Sequence, residues 1–137
     1  MSVTLVDANV LLDIVTEDPT WYAWSSEALA TAADSATLAI NPVIYAEVSI
    51  GFARIEELDV ALPPDAFRCD PIPWEAAFLA GKCFLAYRRR GGTKRSPLPD
   101  FFIGAHAAVR GHTLLTRDPT RYRTYFPTVT MIHPHGS

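Results

Sequence analysis

Four carboxylates stand where acids are locally out of place, and together they could hold a divalent cation. Asp7 ends the apolar run Val3–Val6. Glu47 sits inside Val43-Ile44-Tyr45-Ala46-Glu47-Val48-Ser49-Ile50, apolar on nearly every side. Asp100 and Asp118 are the two acids of residues 88–137, a stretch with nine Lys or Arg. A lone carboxylate in apolar surroundings is costly unless it is paired or bound to a cation. Converging carboxylates repel: two unit charges ~4 Å apart cost roughly 4 kcal/mol at an effective dielectric of about 20. Such a cluster should hold protons more tightly than free acids do, and a divalent ion should relieve it. Oxygen ligands favour Mg²⁺ or Mn²⁺ over Zn²⁺. Each acid also has an ordinary reading. Asp7 could bond the next helix's amides, and Glu47 could pair with a base. Asp100 suits a helix start, and Asp118-Pro119 suits a turn. The four taken in order are what point to a site.

The pattern along the chain indicates the elements that must carry these acids. Strands are expected at 2–6, 37–40, 113–116 and 128–132, with a weak one at 67–72 that Pro71 disfavours. Helices are expected at 10–16 with Asn9 as cap, at 21–33, and from Pro42 to about residue 54 behind an Asn41 cap. Others follow at 55–62, from Trp74 to about residue 90, and at 101–110 with Gly111 as the stop. Strands alternating with helices predict a single domain over 1–137, with residues 133–137 as a flexible tail. Its fold class is α/β, a three-layer α/β/α sandwich around a short, mainly parallel sheet. In such sheets ligands bind beyond the carboxyl ends of the strands, near the switch in strand order. Asp7 and Asp118 both lie just past an expected strand end, and Asp100 lies at a helix start.

Charge divides the chain. Residues 1–87 carry 3 basic and 13 acidic side chains; residues 88–137 carry 9 and 2. A basic half suits a polyanion. Arg88, Arg89, Arg90, Lys94, Arg95, Arg117, Arg121 and Arg123 could track phosphates, although a helix C-terminus alone favours the arginine triplet. Gly91-Gly92 should make the loop before Asp100 pliable. Tyr122 and Tyr125 are the aromatic candidates for stacking unpaired bases, with packing as the ordinary alternative.

Other residue types narrow the class. The composition, 49 % hydrophobic and 20 % charged, is that of an ordinary globular protein. Neither a signal-peptide pattern nor a membrane-length apolar run is present, so a cytoplasmic protein is expected. Cys69 and Cys83 lack metal or redox spacing and read as buried or neutral thiols. His106 and His112 lack a ligand partner at i+4, which argues against zinc; His133 and His135 fall in the tail. Trp21, Tyr22 and Trp24, and Ile50, Phe52 and Ile55, are candidates for either core or a partner surface.

Four blocks carry a resemblance. They are Val6-Asp7-Ala8-Asn9-Val10-Leu11-Leu12, Tyr45-Ala46-Glu47-Val48, Leu98-Pro99-Asp100-Phe101-Phe102-Ile103-Gly104-Ala105-His106-Ala107 and Leu115-Thr116-Arg117-Asp118. In these the chain resembles the PIN-domain ribonucleases, and more narrowly the toxins of VapBC-type toxin–antitoxin pairs, over residues 3–126. The resemblance implies a Mg²⁺- or Mn²⁺-dependent endoribonuclease that leaves a 5′-phosphate and a 3′-hydroxyl. It implies that Asp7, Glu47, Asp100 and Asp118 are the metal-binding acids, with Asn9 and Thr116 assisting. It also implies RNA as substrate, a homodimer and a cognate antitoxin. Two other readings stand beside it. A haloacid-dehalogenase-like phosphatase would use Asp7 as nucleophile, but Asn9 replaces its second acid. A non-catalytic RNA- or protein-binding domain could keep the fold without the chemistry.

Overall fold

Twelve elements follow one another in the computed structural model, which describes residues 2–95 and 98–135. They are β1 (Val3–Val6), α1 (Ala8–Val15), α2 (Tyr22–Ser35), β2 (Thr37–Ile40), α3 (Pro42–Ser49) and α4 (Ile55–Ala61). Then come β3 (Arg68–Cys69), α5 (Trp74–Arg89), α6 (Pro99–Arg110), β4 (Thr113–Leu115), α7 (Thr120–Tyr125) and β5 (Met131–Ile132). The strands form one sheet in the order β3-β2-β1-β4-β5, and every pairing is parallel. The chain moves outward from β1 to β3, then jumps back across to β4. With the right-handed crossovers that parallel strands favour, this order puts helices on both faces, giving the expected three layers.

Burial explains why so short a sheet holds. Leu5, Val6, Ala39, Ile40, Leu114 and Leu115 are almost wholly covered, as a parallel sheet covered on both faces requires. From the helices, Val10, Ile44, Val48, Phe101 and Ile103 join the same core. The longest contact is α5 against α6, where Phe84, Tyr87 and Phe101 stack edge to face or offset.

The cap residues behave as sequence chemistry dictates, with one exchange. Asn41 Oδ1 accepts the Ile44 N–H at 2.9 Å and Pro42 fills the first helical position of α3. Pro99 opens α6, and Gly111 closes it at φ 68°. At α1, however, the cap is Asp7 and not Asn9: Ala8 N–H donates to Asp7 Oδ1 at 2.7 Å, and Asn9 lies inside the first turn.

Four further expectations need correction. The helix after Asn41 stops at Ser49 rather than near residue 54; Ile50 and Gly51 close it with bonds to Glu47 and Val48 carbonyls. The last strand is two residues long, and α7 precedes it where only an Asp-Pro turn was foreseen. Residues 133 and 134 belong to the body of the fold: Pro134 is buried, and His133 meets Arg123 at 3.4 Å. Residues 136 and 137 of the expected tail lie outside the described residues. Cys69 is exposed rather than buried, and both cysteines are free. No helix among the described residues is long and apolar enough to cross a membrane.

Candidate active site

The carboxyl ends of β1 and β4 are adjacent at the switch in strand order, and Asp7 stands between them. Asp7 N–H donates to Leu115 O at 2.9 Å, which extends the β1–β4 ladder into the site. The Asp7 side chain is nearly inaccessible, and every bond it makes is short. Oδ1 accepts from Ala8 N–H, and Oδ2 accepts from the Thr116 hydroxyl at 2.8 Å and the Tyr122 hydroxyl at 2.8 Å. Burial outweighs these bonds and, with the charge of Asp100, pushes the Asp7 carboxyl up to about 6.

Two more acids face it. Asp100, in the first turn of α6, puts Oδ1 3.3 Å from the Tyr122 hydroxyl and accepts from Arg121 Nη1 on Oδ2 at 3.1 Å. Glu47 comes from α3 and is half-buried; burial, then the charges of Asp7 and Asp100, push its carboxyl up to about 7. Asp7 and Asp100 thus share one hydroxyl proton, Asp100 alone meets a half-exposed guanidinium, and Glu47 feels both acids through their charge. Burial and the surrounding carboxylates hold the Tyr122 phenol well above its usual range, so it stays a donor at neutral pH.

Asn9 and Thr116 brace this group. Asn9 Nδ2 donates to Thr116 Oγ1 at 3.3 Å, and Asn9 Oδ1 accepts the Arg117 N–H at 3.1 Å. Thr116 Oγ1 also accepts the Asp118 N–H at 3.2 Å. One hydroxyl therefore ties the loop after β4 to Asp7. Asp118 is exposed and shares with Asp100 a cleft of about 460 Å³, lined also by Tyr87, Thr120, Arg121, Thr124 and Tyr125.

Two residues expected at an RNA rim are used inside the fold. Arg117 forks onto Asp13 at 2.8 and 3.0 Å, and Ser25 donates to the same carboxylate at 2.7 Å. Its guanidinium also lies 5.4 Å from the Trp21 ring centroid, so Arg117 clamps the loop to α1 and α2. Tyr122 is buried among the acids and offers no face for stacking. Sequence reasoning missed it as a site residue. Its spacing, four positions beyond Asp118 on a short helix, was the available signal.

The basic loop is held more firmly than two glycines suggest. Arg88 Nη1 donates to Lys94 O at 2.7 Å, and Lys94 N–H reaches the Tyr87 hydroxyl at 3.4 Å. A Cβ on Gly92 would meet the Tyr87 ring at 2.2 Å, so the glycine serves close packing there. Residues 96 and 97 of this loop lie outside the described residues. The cations Arg88, Arg89, Arg90, Lys94 and Arg95 are exposed, and Arg90 lies over the Tyr125 ring at 5.4 Å.

A second convergence falls outside this site. Asp70, His106 and His112 each bring one ligand atom within 4.8 Å of the others. Asn41 argues against an ion there. Its Oδ1 is committed to the α3 cap, so its Nδ2 faces His106 Nδ1 at 3.0 Å as a donor. That uses the Nδ1 lone pair and leaves the proton on Nε2. Arg68 holds both oxygens of Asp70 at 2.7 Å. Burial and the neighbouring His112 hold His106 down to about 4, hence neutral. The group reads as a polar network joining β3, α3 and α6.

Comparison with known proteins agrees with this fold. A family model described as PIN domain matches residues 4–127. No curated protein sequence matches the chain. Among solved structures, VapBC2 from Rickettsia felis, bound to a DNA fragment from its promoter, superposes with a TM-score of 0.71 at 18 % identity, covering 96 % of this chain and 98 % of that one. VapBC-1 from nontypeable Haemophilus influenzae gives 0.71 at 15 %, covering 96 % and 97 %. A toxin–antitoxin complex from Klebsiella pneumoniae gives 0.70 at 21 %, covering 98 % and 99 %. At these identities the likeness is one of fold. The family match spans most of the chain and includes all four acids: the chain belongs to the PIN-domain family.

Proposed function

We propose that this protein is a divalent-metal-dependent endoribonuclease that acts as the toxin of a toxin–antitoxin pair. The observation that carries the proposal is the convergence of Asp7, Glu47 and Asp100, two of them with raised pKa values, beside a cleft whose rim bears Asp118. The donor set fits a hard cation: it offers carboxylate oxygens and hydroxyls, with too few protons and cations to balance three acids. In this reading Asp7, Asp100 and Asp118 would hold a Mg²⁺ or Mn²⁺ ion, and Glu47 would complete its shell directly or through water. Such an ion supplies acidified water and neutralises charge on the phosphoryl oxygens.

The protein's own residues do the rest. Thr116 and Tyr122 fix the Asp7 carboxylate through Oδ2, and Asn9 fixes Thr116. Glu47, half-buried beside Asp7 and Asp100, would position the attacking water or accept its proton once an ion offsets their charge. The exposed cations of residues 88–95 line the approach and supply phosphate affinity rather than sequence choice.

Partners follow from the same reading. The similar structure from Klebsiella pneumoniae is a toxin–antitoxin complex, and an antitoxin segment is proposed here as well. Ile50 and Ile55 are exposed as a partner surface requires, and so are Val60, Trp74 and Phe78, which the sequence did not single out. Trp21 and Trp24 instead pack edge to face against each other. A homodimer is proposed, to be tested by size-exclusion chromatography with light scattering; a monomer at high concentration would remove it.

Cleavage of total RNA with and without chelator tests the function. Activity should need Mg²⁺ or Mn²⁺, and Asp7→Asn should lower it by about 100-fold or more. Chelator-resistant cleavage would sink the metal mechanism. RNA binding without cleavage would favour the non-catalytic reading. An aspartyl-phosphate trapped at Asp7 would favour the phosphatase, a role poorly served by a carboxylate with both oxygens already bonded.

A further inference from the structure

Adjacent residues of α7 hold Asp100 from two sides, and they differ in how firmly they are held. Tyr122 is buried and keeps its hydroxyl on Asp7 at 2.8 Å as well as near Asp100. Arg121 touches only the other oxygen, Oδ2, at 3.1 Å, through a side chain that is 40 % exposed. An ion pair this open is worth under about 1 kcal/mol, which does not lock a guanidinium in place. Arg121 also lines the open cleft with Thr120, Thr124 and Tyr125, so its swing is into the cleft rather than into the core. Arg123, two residues on, meets His133 and not Asp100.

A divalent ion and a guanidinium compete for a carboxylate oxygen. When the ion takes Asp100, Arg121 loses its partner and remains a full charge beside the cleft. The fork of a guanidinium matches the oxygens of a phosphate. We propose that Arg121 is a stand-in cation: it neutralises Asp100 until a divalent ion binds there, then turns within the cleft to grip the phosphate of the RNA being cut. This rests on the ribonuclease reading above. It gives one residue two opposite effects: it weakens binding of the free ion and strengthens binding of the substrate.

The test uses the full chain and three proteins: wild type, Arg121→Gln and Arg123→Gln. Mn²⁺ affinity is measured by calorimetry without RNA, and KM and kcat by cleavage of a fluorogenic RNA oligonucleotide at saturating Mn²⁺. Arg121→Gln should bind Mn²⁺ about 2- to 5-fold more tightly, the worth of an exposed ion pair. Its KM for RNA should rise about 10- to 100-fold, with a smaller change in kcat. Arg123→Gln removes the same charge without the contact and should leave the Mn²⁺ constant where it is. Equal tightening in both variants would mean general electrostatics and would overturn the proposal. So would wild-type constants in Arg121→Gln while the wild type binds Mn²⁺ and cleaves. A wild type that neither binds Mn²⁺ nor cleaves overturns the ribonuclease reading along with it.

Discussion

Burial and the charge of neighbouring carboxylates raise two of the site's acids, and this sets a measurable pH dependence. Asp7 and Glu47 titrate near 6 and near 7 in the fold, against ordinary values of 3.8 and 4.5. Folded pKa values above the unfolded ones mean that the fold binds protons more tightly. Their contribution to stability is therefore full below about pH 4 and is lost as pH rises through 6 and 7. For buried Asp7 a shift of two units is of order 3 kcal/mol, shared with its coupled neighbour. The metal-free protein should melt several degrees lower at about pH 8 than at about pH 5.5. Mn²⁺ should raise the melting temperature more at the higher pH, where protons no longer compete. A flat profile would mean the acids are not crowded as described. The acids themselves were legible in the sequence because a charge in an apolar or basic run is conspicuous. Tyr122 was not, since an aromatic between two arginines looks the same whether it stacks, packs or donates.

Among the elements, the loop from β4 into α7 is where sequence and structure part most. Periodicity exposes an element only when it is long enough to repeat, so α5 and α6 were plain. A six-residue helix after Asp-Pro has too few turns to show a period. Composition likewise placed Arg117 with the other cations, while its pairing with Asp13 depends on a contact 104 positions away. That pairing makes a prediction. Arg117→Ala leaves a buried carboxylate without its cation and should cost about 2–3 kcal/mol, less than a fully buried pair because Arg117 is partly exposed. It should leave the salt dependence of RNA binding unchanged, because the Arg117 guanidinium is already committed to Asp13; a flattened slope would return it to the rim. Helix α6 is constrained from the other side. A Cβ at Gly104 would meet the Phe126 ring at 2.3 Å, and that ring is buried. Gly104→Ala should therefore destabilise the chain by about 1–3 kcal/mol, read by thermal melting.

At the scale of the molecule, the division of charge resolves into two kinds of surface. Arg88, Arg89 and Arg90 are exposed at the end of α5, where Arg90 lies over the cleft-lining Tyr125, while Arg117 is held by Asp13. Replacing Arg89 and Arg90 by Ala should flatten the slope of log affinity against log salt for single-stranded RNA by about 1.4, near 0.7 for each phosphate no longer neutralised. An unchanged slope would assign the triplet to its helix end. The bond from Tyr122 to Asp7 spans 115 positions and closes the site from opposite ends of the chain. A chain still being synthesised carries Asp7 long before it carries Thr116 and Tyr122, the hydroxyls that hold its carboxylate. The Asp7 carboxylate therefore gains its full set of side-chain bonds only once the loop beyond β4 and helix α7, the last parts of the site in chain order, have docked against β1.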